Sequence, residues 1–237
     1  MERIIGRKLI TLEEVSSTND YAKSIAREVP EGTVVIAERQ TAGKGRKGRA
    51  WASPEGGLWM SVILKPGFVD PRIVFVGALS VVDTLADFGI ASGIKWPNDV
   101  WVGGRKIAGV LVEGRGEEHV VMGVGLNVNN PIPDELRESA VSMFELLGAK
   151  IPLETVLNSL LFHMDAWYRI FGEDPFLLMQ KVRERTFILG RFVEVVEGEE
   201  RILGRAVDVL DDGSLLLDVG GSLRRVLYGD VSLRPLP

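Results

Sequence analysis

Gly43-Lys44-Gly45-Arg46-Lys47-Gly48-Arg49 places four cations and three glycines in seven consecutive residues. From Arg39 to Pro54 the chain carries five positive charges and no acid, inside a protein whose net charge is −5. Glycines let backbone N–H groups approach an anion closely, and long cationic side chains neutralise it. The run therefore reads either as a phosphate cradle or as a solvated basic loop. It formally satisfies G-x-G-x-x-G, yet Trp51-Ala52-Ser53-Pro54-Glu55-Gly56-Gly57 follows. Such a stretch opens no helix. The dinucleotide-binding fold is thereby excluded, because its pyrophosphate sits on a helix N-terminus. No Gly-Lys pair precedes Ser or Thr, so the Walker loop is excluded too.

Outward from this loop, hydrophobic periodicity predicts strands at 9–14, 33–38 and 58–64 and a helix behind Thr18-Asn19. Apolar residues at Ile73, Val76, Leu79, Val82 and Leu85 mark a helix over 72–88. Short strands are expected at 94–96, 100–102, 106–113 and 119–124, with a hairpin at Gly103-Gly104. Two amphipathic helices follow, over 153–171 and 175–185. Beyond residue 188, short strands at 192–196, 202–210, 215–219 and 224–228 are separated by Gly and Asp, the pattern of a small all-β unit. This tail holds six arginines, no lysine and nine acids, whereas a nucleic-acid-binding barrel is basic.

The 237 residues, 46% of them hydrophobic, suffice for a real core. There is no cysteine, which excludes disulfides, thiolate metal sites and a cysteine nucleophile. Only His119 and His163 are present, so a histidine-rich zinc site is not expected either. The sequence shows no secretory leader and no membrane-length apolar run, which makes a cytoplasmic protein the expectation.

Further constellations lie downstream. Lys95-Trp96-Pro97-Asn98-Asp99 precedes Lys106-Ile107-Ala108-Gly109. Lys106 enters an apolar strand, either to meet a substrate anion with little screening or to snorkel to solvent. Gly109 inside the strand suggests close approach by a ligand or another backbone. Asn127, in Gly123-Val124-Gly125-Leu126-Asn127-Val128-Asn129-Asn130, could read a purine edge or simply shape a turn. Ser17-Thr18-Asn19 alone is a helix cap.

In this order, Ser17-Thr18-Asn19, Gln40, the cationic run, Trp51, Lys95-Trp96-Pro97-Asn98-Asp99, Lys106-Ile107-Ala108-Gly109 and Gly123-Val124-Gly125-Leu126-Asn127 resemble biotin–protein ligase over nearly the whole chain. The resemblance implies an α+β fold: a mixed, class II synthetase-like sheet flanked by helices over 1–187, then a small SH3-like β-barrel over 188–237. It implies joining biotin to a lysine of a biotin carboxyl carrier protein through biotinyl-5′-AMP, at the expense of ATP with Mg²⁺. Ser17, Thr18, Asn19 and Gln40 would hold the ureido ring. Gly43, Lys44, Gly45 and Arg46 would close over biotin and phosphate, beside Gly109. Lys106 would stabilise charge between carboxylate and α-phosphate. Arg49, Trp51, Asn127 and Arg234 would contact ATP or the adenylate. Asp99 would hold Mg²⁺ through water or guide the target lysine; no other metal ligand is implied. A homodimer is implied as well. Only 16 residues precede Ser17, so no DNA-binding domain and no repressor activity are expected. A lipoate–protein ligase or octanoyltransferase would share the fold and remains the alternative.

Overall fold

The computed structural model describes residues 3–68, 70–114, 118–227 and 229–233. Seven strands build the main sheet: β1 (Leu9–Val15), β2 (Val34–Gln40), β3 (Leu58–Leu64), β4 (Gly93–Lys95), β5 (Asp99–Val102), β6 (Arg105–Gly114) and β7 (Val120–Leu126). Their spatial order is β1-β2-β3-β7-β6-β5-β4. β1 and β2 are parallel, and the other neighbours are antiparallel. A parallel pair needs a crossover. Helix α1 (Thr18–Ile25) supplies it, capped by Ser17, whose Oγ accepts from Asp20 N at 3.4 Å.

The remaining helices are α2 (Ile73–Asp87), α3 (Met143–Leu147), α4 (Leu153–Glu173) and α5 (Pro175–Arg185). α1 covers one sheet face with Ala22 and Ala26, against Val35, Ile63 and Val121. α2 covers the other face with Phe75, Val76 and Leu79, against Met60, Val110 and Met122. β3 has α1 on one face and the large apolar core on the other, so all seven of its residues are buried and it reads as a nearly continuous apolar run. α4 packs outside α2, and α5 packs against both. α2 is therefore enclosed on all sides. Its two buried hydroxyls are satisfied internally: Ser80 Oγ donates to Val76 O at 2.6 Å and Thr84 Oγ1 to Ser80 O at 2.7 Å. Among the described residues no helix is long and apolar enough to cross a membrane.

Five antiparallel strands form a second sheet, in the order β11-β10-β9-β8-β12: β8 (Phe192–Glu197), β9 (Glu200–Val209), β10 (Leu215–Val219), β11 (Ser222–Val226) and β12 (Asp230–Leu233). The strand expected over 224–228 ends at Val226, and β12 is an addition that periodicity did not reveal. α3 was likewise unmarked. Val193, Val195 and Ile202 join the same apolar core as α2. Trp96 Nε1 donates to Gly213 O at 2.8 Å, tying the β4–β5 turn to this sheet.

Leu79, 1% exposed, sits in the middle of that core. Leu79→Ala is expected to cost about 2–5 kcal/mol. Urea unfolding checks this: the midpoint falls while the slope stays unchanged.

Candidate active site

The site begins with an irregularity in β6. Regular alternation from Gly109 would send Ile107 to the open face and Lys106 into the core. Instead the register with β5 shifts: Ala108 lies opposite Val100, but Lys106 lies opposite Trp101. Ile107 and Ala108 are both fully buried, and Lys106 returns to the open face. A bulge of this kind re-aims a side chain at a functional position. Lys106 Nζ sits 2.7 Å from Asp99 Oδ1 and 4.9 Å from the ring centre of Trp51. It does not snorkel.

Trp51 owes its place to two glycines. Gly109 and Gly125 face one another across β6 and β7. A Cβ on Gly125 would come within 2.6 Å of Trp51 Nε1, and one on Gly109 within 3.2 Å of the same indole. Two residues along β7, a Cβ on Gly123 would meet Asn19 Oδ1 at 2.3 Å. The bare backbone lets an indole and an amide lie directly on the sheet. Trp51 Nε1 is buried and has no hydrogen-bond partner among the described residues.

The cationic run folds as a tight hairpin over this patch. Trp51 N donates to Gly43 O at 2.8 Å, and Gly45 N to Arg49 O at 2.7 Å. Lys47 turns the chain at φ 54°. Each cation then meets an anchor. Lys44 Nζ reaches Asp20 Oδ2 at 2.5 Å. Arg46 donates to Asn98 Oδ1 at 2.8 Å and to Gly229 O at 3.1 Å. Lys47 and Arg49 lie 3.4 and 2.6 Å from Asp230 Oδ2. The second sheet thus supplies a carboxylate to the loop. Asn98 is itself sewn onto β6, exchanging two 2.9 Å bonds with Val110.

At α1 the polar groups interlock. Gln40 Oε1 accepts from Thr18 N at 2.8 Å and from Thr18 Oγ1 at 3.1 Å. Gln40 Nε2 donates to Ser53 Oγ at 2.8 Å, pinning the far end of the loop. Asn127 Nδ2 donates to Val141 O at 3.2 Å, while its Oδ1 accepts from Asn130 Nδ2 at 3.1 Å. One proton and one lone pair of that amide remain for a ligand.

These groups surround one cavity of about 370 Å³. Every residue expected at the site lines it, with two exceptions. Gly43 packs outside, where a Cβ would meet Trp51 O at 2.4 Å. Arg234 lies outside the described residues. Lys95, Asn98, Trp101 and Asp230 line it without having been assigned roles from the sequence. Lys95 Nζ lies 4.2 Å from the ring centre of Trp101. Burial pushes the Lys95 ammonium below the ordinary lysine range. Of these four only Lys95 and Asn98 carried a sequence signal, as neighbours in the Lys-Trp-Pro-Asn-Asp run. Among the described residues no group of three His, Cys, Asp or Glu could hold a metal ion, and Asp99 is engaged by Lys106.

Residues 11–127 match the Biotin/lipoate A/B protein ligase family, and residues 188–234 match the Biotin protein ligase C terminal domain. The bifunctional ligase/repressor BirA of Bacillus subtilis is 34% identical over 97% of this chain and 75% of its own length. The chain belongs to the biotin–protein ligase family. The biotin–[acetyl-CoA-carboxylase] ligase of Mycobacterium tuberculosis is 36% identical over 95% of this chain and 88% of its own. The biotin protein ligase of Aquifex aeolicus, solved with biotin and ATP, superposes with a TM-score of 0.88 at 34% identity, covering 96% of this chain and 99% of that one. In this family member, the cationic hairpin touches both the main sheet and the second sheet.

Asp230→Ala removes the carboxylate shared by Lys47 and Arg49. Two partly exposed ion pairs at about 0.2–1 kcal/mol each predict a roughly two- to thirtyfold more open hairpin. Limited trypsin digestion, read by mass spectrometry at 44–49, checks it.

Proposed function

We propose that this protein ligates biotin to a lysine of a biotin carboxyl carrier domain in two steps through biotinyl-5′-AMP. One observation carries the reading: a single cavity joins the hydrogen-bonding end of α1 to a cluster of cations around Lys106. Five cationic and two acidic side chains line it, a surplus of three positive charges. Mg-ATP and a biotin carboxylate together bring three negative charges. Mg²⁺ travels with the phosphates and needs few protein ligands, in keeping with the donor set around Asp99. Lipoate, with its dithiolane ring, has no hydrogen-bonding group for the α1 end.

In the first step a biotin carboxylate oxygen attacks the α-phosphorus and pyrophosphate departs with the broken P–O bond. The carboxylate is already a nucleophile, so the barrier is repulsion between anions and orientation. Lys106, aimed by the bulge and steadied by Asp99, stabilises the charge that develops. In the second step the carrier lysine nitrogen attacks the acyl carbon, AMP leaves, and the amine gives up a proton. Arg46 holds the adenylate in between with its several donors. The unpartnered Trp51 indole N–H supplies a further donor there. Arg234 is assigned to ATP on the resemblance alone. The chain divides at about residue 188 into the ligase unit and an SH3-like unit that carries Asp230. With a net charge of −5, sequence-specific DNA binding is not part of the activity.

Incubation with biotin and Mg-ATP, then mass spectrometry of the bound species, is expected to find biotinyl-AMP; its absence under turnover conditions rejects the reading. Lys106→Ala is expected to slow adenylate formation roughly 10²–10³-fold with little change in biotin binding. Pyrophosphate release measures this, and an unchanged rate removes Lys106 from the mechanism. Arg46→Gly is expected to let the adenylate escape roughly ten- to hundredfold faster, as a charge-assisted contact is worth about 1.5–3 kcal/mol. Serum albumin added to the assay then becomes biotinylated. An unlabelled albumin band beside normal carrier labelling would exclude retention by Arg46.

A further inference from the structure

We propose that Glu113 is a positioning residue that orients the Asn19 amide, so that Asn19 presents only an acceptor to the cavity and selects a substrate with a ring N–H there. This rests on the ligase reading above, which leaves open how a cyclic urea is told from other rings.

Glu113 closes β6 after the apolar run from Ile107 to Val112. Its Oε2 lies 2.7 Å from Asn19 Nδ2, and Leu111 O lies 3.4 Å from the same nitrogen. An ionised carboxylate can only accept, so the Asn19 NH₂ must face it. Burial alone would raise the Glu113 carboxyl, but the Lys23 ammonium and the Asn19 amide outweigh it and hold it below the usual range. Lys23 Nζ is 2.8 Å from Glu113 Oε1 and is held from the other side by Asp20 at 2.9 Å. The carboxylate therefore stays charged and fixed.

Hydrogen-bond capacity then decides what Asn19 can offer. Both Nδ2 protons have acceptors in Glu113 and Leu111. Oδ1 has two lone pairs, and Ser61 Oγ at 2.6 Å takes one, sharing its single proton with Thr18 Oγ1 at 2.8 Å. The second lone pair remains, on an oxygen lying over the bare backbone of Gly123. The neighbours are complementary. Ser17 Oγ accepts from Asp20 N and keeps its own proton. Gln40 Nε2 gives one proton to Ser53 and keeps the other. Two donors beside one acceptor match the carbonyl and an N–H of a cyclic urea. A ring with an oxygen in place of that N–H would set two acceptors face to face, and burying such a pair unmade is costly.

The test is a double-mutant cycle on the rate of adenylate formation, with the fold of each variant verified by circular dichroism. Glu113→Gln is expected to raise the biotin KM about tenfold while leaving kcat and the ATP KM within about twofold, because ring contacts are equal in ground and transition states. In an Asn19→Ala background the same change is expected to add less than about twofold, the mark of one residue acting through the other. Lys23→Met removes the ammonium that steadies Glu113 but leaves the carboxylate in place to accept from Asn19 Nδ2, so it is expected to raise the biotin KM less than Glu113→Gln does. Biotin methylated at one or other ring nitrogen gives a readout on the unsubstituted protein: at least one isomer should bind about tenfold or more weakly. The proposal is overturned by an unchanged biotin KM in Glu113→Gln, by equal effects on both backgrounds, by Lys23→Met matching Glu113→Gln, or by full binding of both methylated isomers. A wild-type protein that forms no adenylate from biotin would instead overturn the ligase reading itself.

Discussion

The pairing of Gly109 with Gly125 is the contact on which the site depends. Two adjacent antiparallel strands meet there without a side chain on the cavity side. Any L-residue at Gly125 would displace the Trp51 indole, since a Cβ would come within 2.6 Å of it. Without Trp51 in place, Lys106 loses the ring it lies over, and the hairpin loses its C-terminal footing. The large apolar core around α2 makes the sheet stable; the small residues on its other face make it useful. Glycines weaken a strand. Here they fall where β7 has β3 and β6 on either side to hold it.

Charge is distributed with the same economy. The hairpin gathers most of the local cations, and self-repulsion would splay it if its anchors were only its own backbone. Asp20 on α1 and Asp230 on β12 hold it from opposite directions. An ion pair of this kind is weak when exposed and cheap to exchange. An incoming phosphate can therefore compete for the same guanidinium groups without breaking any buried contact. Arg46 differs, being only 22% exposed and bonded to Asn98 and to the backbone of Gly229. Its geometry is set by both sheets.

Much of the fold was legible because its long elements obey one period each. The β3 run, the α2 stripe and the two helices of 153–185 fall within a few residues of where periodicity puts them. The parts that escaped are short or depend on distant partners. α3 has five residues, too few to display a helical repeat. β12 has four, and only its pairing with β8 makes it a strand. The site was legible as residue types, since a cationic glycine run and a strand lysine stand out against an acidic chain. Its geometry was not. Strict alternation puts Lys106 on the wrong face, and nothing local announces the bulge at Ile107. Nor does anything near residue 230 announce that Asp230 meets a loop some 181 residues earlier. Glu113 stands near the end of its strand, and only the fold brings Asn19 and Lys23 against its carboxylate.

α2 carries a cost that belongs to synthesis rather than to the finished protein. A helix with apolar residues on every side has no stable solvent-facing orientation. When Ile73–Asp87 is synthesised, β3 is already made, but β6, β7 and α4 are still to be translated. Domains emerge from the N-terminus onward, and exposed apolar surface on a nascent chain invites association. Until α4 is complete at Glu173, one flank of α2 has nothing to cover it. The same enclosure that makes the helix a rigid backing for the sheet makes the half-made polypeptide sticky, and slow elongation between residues 88 and 153 would lengthen that exposure.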